Sequence, residues 1–129
     1  MKTIRLTAAQ AFVRYLAAQS NEEGEPLVPG CWAIFGHGNV AGLGEALQGV
    51  GDAFPTWRGH NEQSMAHAAI AYAKAKNRQQ AMMVTTSIGP GALNMVTACA
   101  LAHVNRLPVL LVPGDVFANR VPDPVLQQV

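Results

Sequence analysis

Glu62 follows Gly59-His60-Asn61 and opens an alanine-rich stretch, Glu62 to Lys76, that contains no other acid. A carboxylate in the first turn of a helix sits where the positive end of the helix dipole favours an anion. Two readings are open: a glutamate that only serves the helix start, or an acid–base group held by it. Two glycine turns accompany it. Gly36-His37-Gly38-Asn39-Val40-Ala41 fits G-x-G-x-x-A between a strand and a helix, the context of a dinucleotide fingerprint. Against that reading, a helix already precedes the strand, and no acid closes a clear second strand about 20 residues on; Asp52 comes too early. The second turn, Ser87-Ile88-Gly89-Pro90-Gly91-Ala92-Leu93-Asn94, also follows a strand. Glycines there let backbone approach a ligand, and the helix start behind them offers free N–H groups. A tight turn needing positive φ explains the same glycines. The turn lacks the Gly-Lys-Ser/Thr ending of a phosphate loop, which disfavours nucleoside triphosphates.

Of the four histidines, His37 and His60 lie in the loops beside these segments and are candidates to face a substrate, together with Gly38. His67 and His103 fall within helices and read as packing or surface residues. None stands at metal-ligand spacing from another His, Cys or carboxylate, so no metal site is expected in this chain.

The elements that must position these groups alternate. Thr7 can cap a first helix with Gln10 as its capping-box partner, and Ala8, Ala11, Phe12, Tyr15 and Leu16 make its apolar stripe. Asn21 to Gly30 is a polar loop rich in Gly and Pro. Cys31 to Phe35 is a short apolar run suited to a strand covered on both faces. A helix is expected around Gly42 to Val50, an extended segment at Phe54 to Trp57, and a helix from Glu62 burying Met65, Ala66, Ala69, Ile70 and Ala73. A strand at Ala81 to Thr86, one long helix from about Ala92 to Asn105, and a buried strand at Val109 to Val112 complete the series. Such alternation predicts an α/β fold: three layers, α/β/α, around a mostly parallel sheet. The tail Arg120-Val121-Pro122-Asp123-Pro124 follows only three or four strands. A sheet that small leaves an unpaired edge, so the chain reads as the front part of something larger.

Half of the 129 residues are hydrophobic, 13% are charged and the net charge is +1, which removes any basic field for nucleic acid. No apolar run reaches the roughly 18 residues of a membrane span, and without an apolar run after the first charges no signal peptide is expected. A cytoplasmic protein is expected. Cys31 and Cys99 then read as buried free thiols rather than a disulfide.

Three ordered segments carry a resemblance: Phe35-Gly36-His37-Gly38-Asn39, His60 to Ala75 with Glu62 third, and Val84 to Asp115 around Gly89-Pro90-Gly91. Together they resemble the N-terminal pyrimidine-binding domain of thiamin-diphosphate enzymes, on the acetohydroxyacid synthase and pyruvate oxidase branch. The resemblance covers nearly the whole chain, 1–129, as a partial domain. Arg5 to Leu16, Gly36 to Leu47 and Ala118 to Gln128 are similar, more narrowly, to the branch that opens a cyclic trihydroxydione in myo-inositol breakdown. Chains of that branch are also labelled as semialdehyde decarboxylases.

The resemblance implies that Glu62 hydrogen-bonds N1′ of the aminopyrimidine and promotes its imino tautomer, which prepares loss of the thiazolium C2 proton. It implies that Gly89, Pro90, Gly91 and Asn94 line the pyrimidine cleft, and that the loop carrying His37 and Gly38 approaches the reacting end. It also implies Mg²⁺, held with the diphosphate by a Gly-Asp-Gly domain that this sequence does not contain. In such enzymes the site forms between subunits, so a homodimer or tetramer is implied and this segment alone should be inactive and self-associating. Three alternatives stay open: a 2-oxo acid decarboxylase or carboligase of the same cofactor, a dinucleotide-binding oxidoreductase, and a non-enzymatic α/β interaction module. The last predicts a sheet without exposed edges and an inert Glu62.

Overall fold

A computed structural model describes residues 3–116 together with Asn119, Leu126 and Gln127. The proline-containing tail Arg120 to Pro124 lies outside the described residues.

Helix α1 spans Ala8–Ala17 and begins with the expected capping box: Gln10 N–H donates to Thr7 Oγ1 at 3.2 Å, and Thr7 N–H to Gln10 Oε1 at 3.0 Å. The apolar face differs from the expected stripe. Val13 and Leu16 are buried, with Ala9, Phe12 and Ala17 beside them, whereas Tyr15 is exposed. Val13 stands one residue after Phe12, so the buried face is rotated away from Ala8, Ala11 and Tyr15, a shift that periodicity over two to three turns hardly resolves.

Strand β1 is Cys31–Ala33, shorter than the apolar run that predicted it. A π-helical turn at Val40–Gly44 leads into α2, Glu45–Val50, and a 3₁₀ turn at Gly51–Ala53 leads to β2, Thr56–Arg58. Helix α3 is Glu62–Ala75 and β3 is Met83–Thr86. The long helix expected from Ala92 to Asn105 is two pieces, α4 at Pro90–Leu93 and α5 at Val96–Val104. Pro90 is pre-set for a first helical position, so the helical path starts earlier than expected. Strand β4 is Leu110–Pro113, and it is half-buried rather than buried, since it ends the described sheet.

The four strands are all parallel in the order β2-β1-β3-β4, with Trp32 opposite Trp57 and Val84, and Val84 opposite Leu111. Alternation along the strands sorts the core into two faces. Val84, with Trp32, Ile34 and Leu111, packs with Met65, Ala66, Ala69, Ile70 and Ala73 of α3 and with Ala98 and Ala102 of α5. Cys31, Ala33 and Met83 pack on the other side with Val13 and Leu16 of α1 and Ala46 and Leu47 of α2. This is the three-layer α/β/α arrangement. The five residues read as the α3 stripe are all buried. Their small size, matched by alanines on α5, lets two helices share one sheet face.

The two thiols part company. Cys31 is buried, and desolvation pushes its pKa up to about 12, so it is a neutral apolar side chain at ordinary pH. Cys99 is exposed on α5, correcting the expectation that both are buried. Composition suggested burial, but the helix turns Ala98 and Ala102 inward instead. Among the described residues no helix is long and apolar enough to cross a membrane.

Candidate functional site

The strand order places the candidate site. From β1 the chain moves one way to β2, and from β3 it moves the other way to β4, so their connections diverge. In an open parallel sheet, the crevice outside the carboxyl ends of two such strands is where ligands bind. The loop after β1 is Gly36-His37-Gly38-Asn39 and the turn after β3 is Ser87-Ile88-Gly89. Both glycine segments therefore converge on one crevice, which their 50-residue separation in sequence conceals.

Asn39 locks the first loop. Its buried amide donates to Thr85 Oγ1 at 2.9 Å and to the Thr86 carbonyl at 2.6 Å, while its Oδ1 accepts from Gly36 N–H at 3.2 Å. Thr85 Oγ1 passes the connection on to the Val112 carbonyl at 2.8 Å, tying the loop after β1 to β3 and β4. Gly38 has φ +95°, and a Cβ there would run into Ile88 and Asp115. A side chain at Gly36 would likewise meet the Cβ of Ser87, at 2.8 Å. The two fingerprint glycines are thus spent on protein contacts, and the segment after them begins as a π-helical turn. That arrangement leaves the dinucleotide reading without the open backbone cradle it needs.

Glu62 arrives from the third direction. Asn61 caps α3: its Oδ1 accepts from Ser64 N–H at 2.9 Å and from Ser64 Oγ at 3.1 Å. The cap fixes the helix start one residue before Glu62 and fills one of the free N–H groups there. Half-buried, the Glu62 carboxylate accepts a hydrogen bond through Oε2 from Asn94 Nδ2 at 2.8 Å. Asn94 stands at the break between α4 and α5. Gly91 completes the group. A Cβ built on it would lie 2.5 Å from Ser87 Oγ and 3.3 Å from Glu62 Oε1. Only a residue without a side chain lets α4 come this close to one carboxylate oxygen and one hydroxyl.

The structure thus brings Glu62, Gly91 and Asn94 together, with Gly89 and Pro90 forming the approach to α4. His37 is exposed, and its carbonyl accepts from Ile88 N–H at 3.3 Å. His60 is exposed two residues before Glu62. Ser87 and Asn39 are the residues that sequence reasoning passed over. Each lay in a quoted glycine segment, yet nothing in a linear pattern signals that a hydroxyl faces a glycine four residues on.

A separate cavity of about 560 Å³ lies between α2 and β2, lined in part by Phe35, Leu47, Gln48, Asp52, Trp57 and Arg58. Glu62 does not line it. The convergence of polar groups, rather than cavity size, makes the crevice at Glu62 the candidate site.

Comparison with known proteins gives the same location a family context. The profile of the thiamine pyrophosphate enzyme, N-terminal TPP binding domain, matches residues 30–129. A 3D-(3,5/4)-trihydroxycyclohexane-1,2-dione hydrolase from Geobacillus thermodenitrificans (strain NG80-2) is 57% identical over 132 residues, covering 100% of this chain and 21% of that protein. A protein of the same name from Shouchella clausii (strain KSM-K16) is 54% identical over 130 residues, covering 98% of this chain and 20% of its own length. Another of that name, from Bacillus cereus (strain AH820), is 52% identical over 132 residues, at 100% and 20% coverage. The chain spans about a fifth of the length of these curated relatives.

Proposed function

The chain belongs to the thiamine pyrophosphate enzyme family through its N-terminal TPP-binding domain, and from that premise we propose that it supplies the pyrimidine-binding half of a hydrolase that opens 3D-(3,5/4)-trihydroxycyclohexane-1,2-dione. The observation that carries the assignment is the Glu62–Asn94 pair at the close approach of Gly91. A planar ring with a basic nitrogen suits this carboxylate, because Oε1 can accept from the ring and hold a proton there. When bound, thiamin diphosphate supplies the nucleophilic carbon that adds to a carbonyl.

This chain's residues bind and orient. Glu62 Oε1 would hold the proton at the ring nitrogen, with the backbone of Pro90 and Gly91 beside it, while the Gln127 backbone that packs on Gly89 would give way for the ring to reach that residue. Asn94 holds the other carboxylate oxygen. His37, Gly38 and His60 face the substrate end, where the exposed imidazoles can donate to the hydroxyls of a cyclic polyol. The reaction is ring opening with water to 5-deoxyglucuronate. Mg²⁺ and the diphosphate belong to a further domain of the whole enzyme, and the two free thiols suit a cytoplasmic setting.

The identity over the full chain supports the cyclic dione over a 2-oxo acid or semialdehyde substrate. The whole enzyme carrying this domain is expected to open the cyclic trihydroxydione with a higher kcat/KM than it decarboxylates malonic semialdehyde. A side-by-side assay decides it, and a win for the semialdehyde overturns the substrate assignment.

The same reading includes a second subunit. Leu93 and Val96 are more than half exposed, and Val104 is 78% exposed, so α4 and α5 present an apolar outer face. Large exposed apolar patches mark interaction surfaces. Light scattering of the whole enzyme should give a dimer or tetramer, with Val96→Glu/Val104→Glu lowering the mass. A monomeric mass for the unsubstituted enzyme refutes this part.

A further inference from the structure

We infer that Asn94 is a positioning residue that acts through Glu62, dividing the two carboxylate oxygens between protein and ligand. The inference rests on the cofactor reading above and assigns Asn94 a task other than lining the cleft. An ionised carboxylate only accepts hydrogen bonds, so the edge of Asn94 that faces Glu62 must be its NH₂, and the 2.8 Å contact is a charge-assisted bond. That bond engages Oε2. The other oxygen, Oε1, faces Gly91, 3.3 Å from where a Cβ would stand. Ser87 Oγ lies 2.5 Å from the same point.

Without Asn94 the carboxylate is free to rotate about its last side-chain torsion, a broad and soft one. Either oxygen can then turn toward Gly91, and neither is held. Asn94 is well placed to prevent this because it sits at the helix break. One of its neighbours in the chain is the last residue of α4, and the next helix begins two residues on, at Val96.

The test is a double-substitution cycle in the whole enzyme, read by kcat, KM and calorimetric binding of thiamin diphosphate with Mg²⁺. Asn94→Ala is expected to lower kcat by about 10- to 100-fold, the effect of one hydrogen bond to a charged group. It should also weaken cofactor binding in calorimetry while leaving KM for the dione within about twofold. Asn94→Asp keeps the volume, replaces the donor with a like charge, and should lose at least as much; it carries the test if the alanine variant folds poorly. In a Glu62→Gln background, Asn94→Ala should cost less than about twofold more, because residues acting as a unit are not additive. Multiplicative losses, or an Asn94→Ala enzyme within threefold of wild type, overturn this inference alone. A silent Glu62→Gln overturns the cofactor reading and this inference with it.

Discussion

Glu62→Gln in the whole enzyme is expected to leave folding intact and to lower kcat by about 10²–10⁴, the usual contribution of a positioned proton-transfer group. The substitution is nearly isosteric. The amide oxygen of the new side chain can still accept from Asn94 Nδ2, and the cap that holds the helix start belongs to Asn61, so α3 and its contact to the α4–α5 break are preserved. What is lost is a negative charge at Oε1, the carboxylate oxygen that faces Gly91. An amide there cannot take a proton. Thermal unfolding and kcat measured on the same preparation separate the two effects. An enzyme that retains activity within threefold of wild type removes Glu62 from the mechanism.

Gly91→Ala is expected to act on cofactor binding rather than on folding. The added methyl would meet Ser87 Oγ at 2.5 Å, but a serine hydroxyl can rotate to another staggered position at small cost. Having done so, the methyl would still crowd Glu62 Oε1, the oxygen assigned above to the ring. Overpacking of that kind costs about 1–3 kcal/mol, so the Kd for thiamin diphosphate should rise by about 10- to 100-fold. Gly49→Ala on α2 is the control, because nothing lies within 4 Å of a Cβ there. Equal affinities for the two variants would show that the cofactor does not approach Gly91.

Both results depend on residues whose types are legible in the sequence and whose proximity is not. The α3 stripe, Met65, Ala66, Ala69, Ile70 and Ala73, is read correctly from spacing alone, because a helix of 14 residues samples its apolar face several times over. The capping box at Thr7 and Gln10 is likewise local, with both partners within one turn. Alternating strands and helices dictate a parallel sheet for the general reason that parallel strands need crossovers. The lone acid at the start of α3 marks candidate chemistry in the sequence, whereas the glycines after the two strands prove to serve close packing as well.

Tertiary structure decided the rest. It ordered the sheet β2-β1-β3-β4, and only that order makes the loops after β1 and β3 neighbours across one crevice. It turned the face of α1 toward Val13 and left Tyr15 in solvent, a choice made by the sheet beneath it rather than by the helix. It also divided the apolar run after Gly91 into α4 and α5. Local propensity favours one helix there, since Ala, Leu and Met are strong helix formers. Long-range contacts override it: Met95 and Ala98 turn into the core shared with α3, and Asn94 meets Glu62, 32 residues earlier in the chain. Sequence by itself determined which groups exist and which elements carry them. Which oxygen of Glu62 is held and which is left open toward Gly91 is a matter of a few ångströms between distant segments, set only when the two helices dock on a common sheet face.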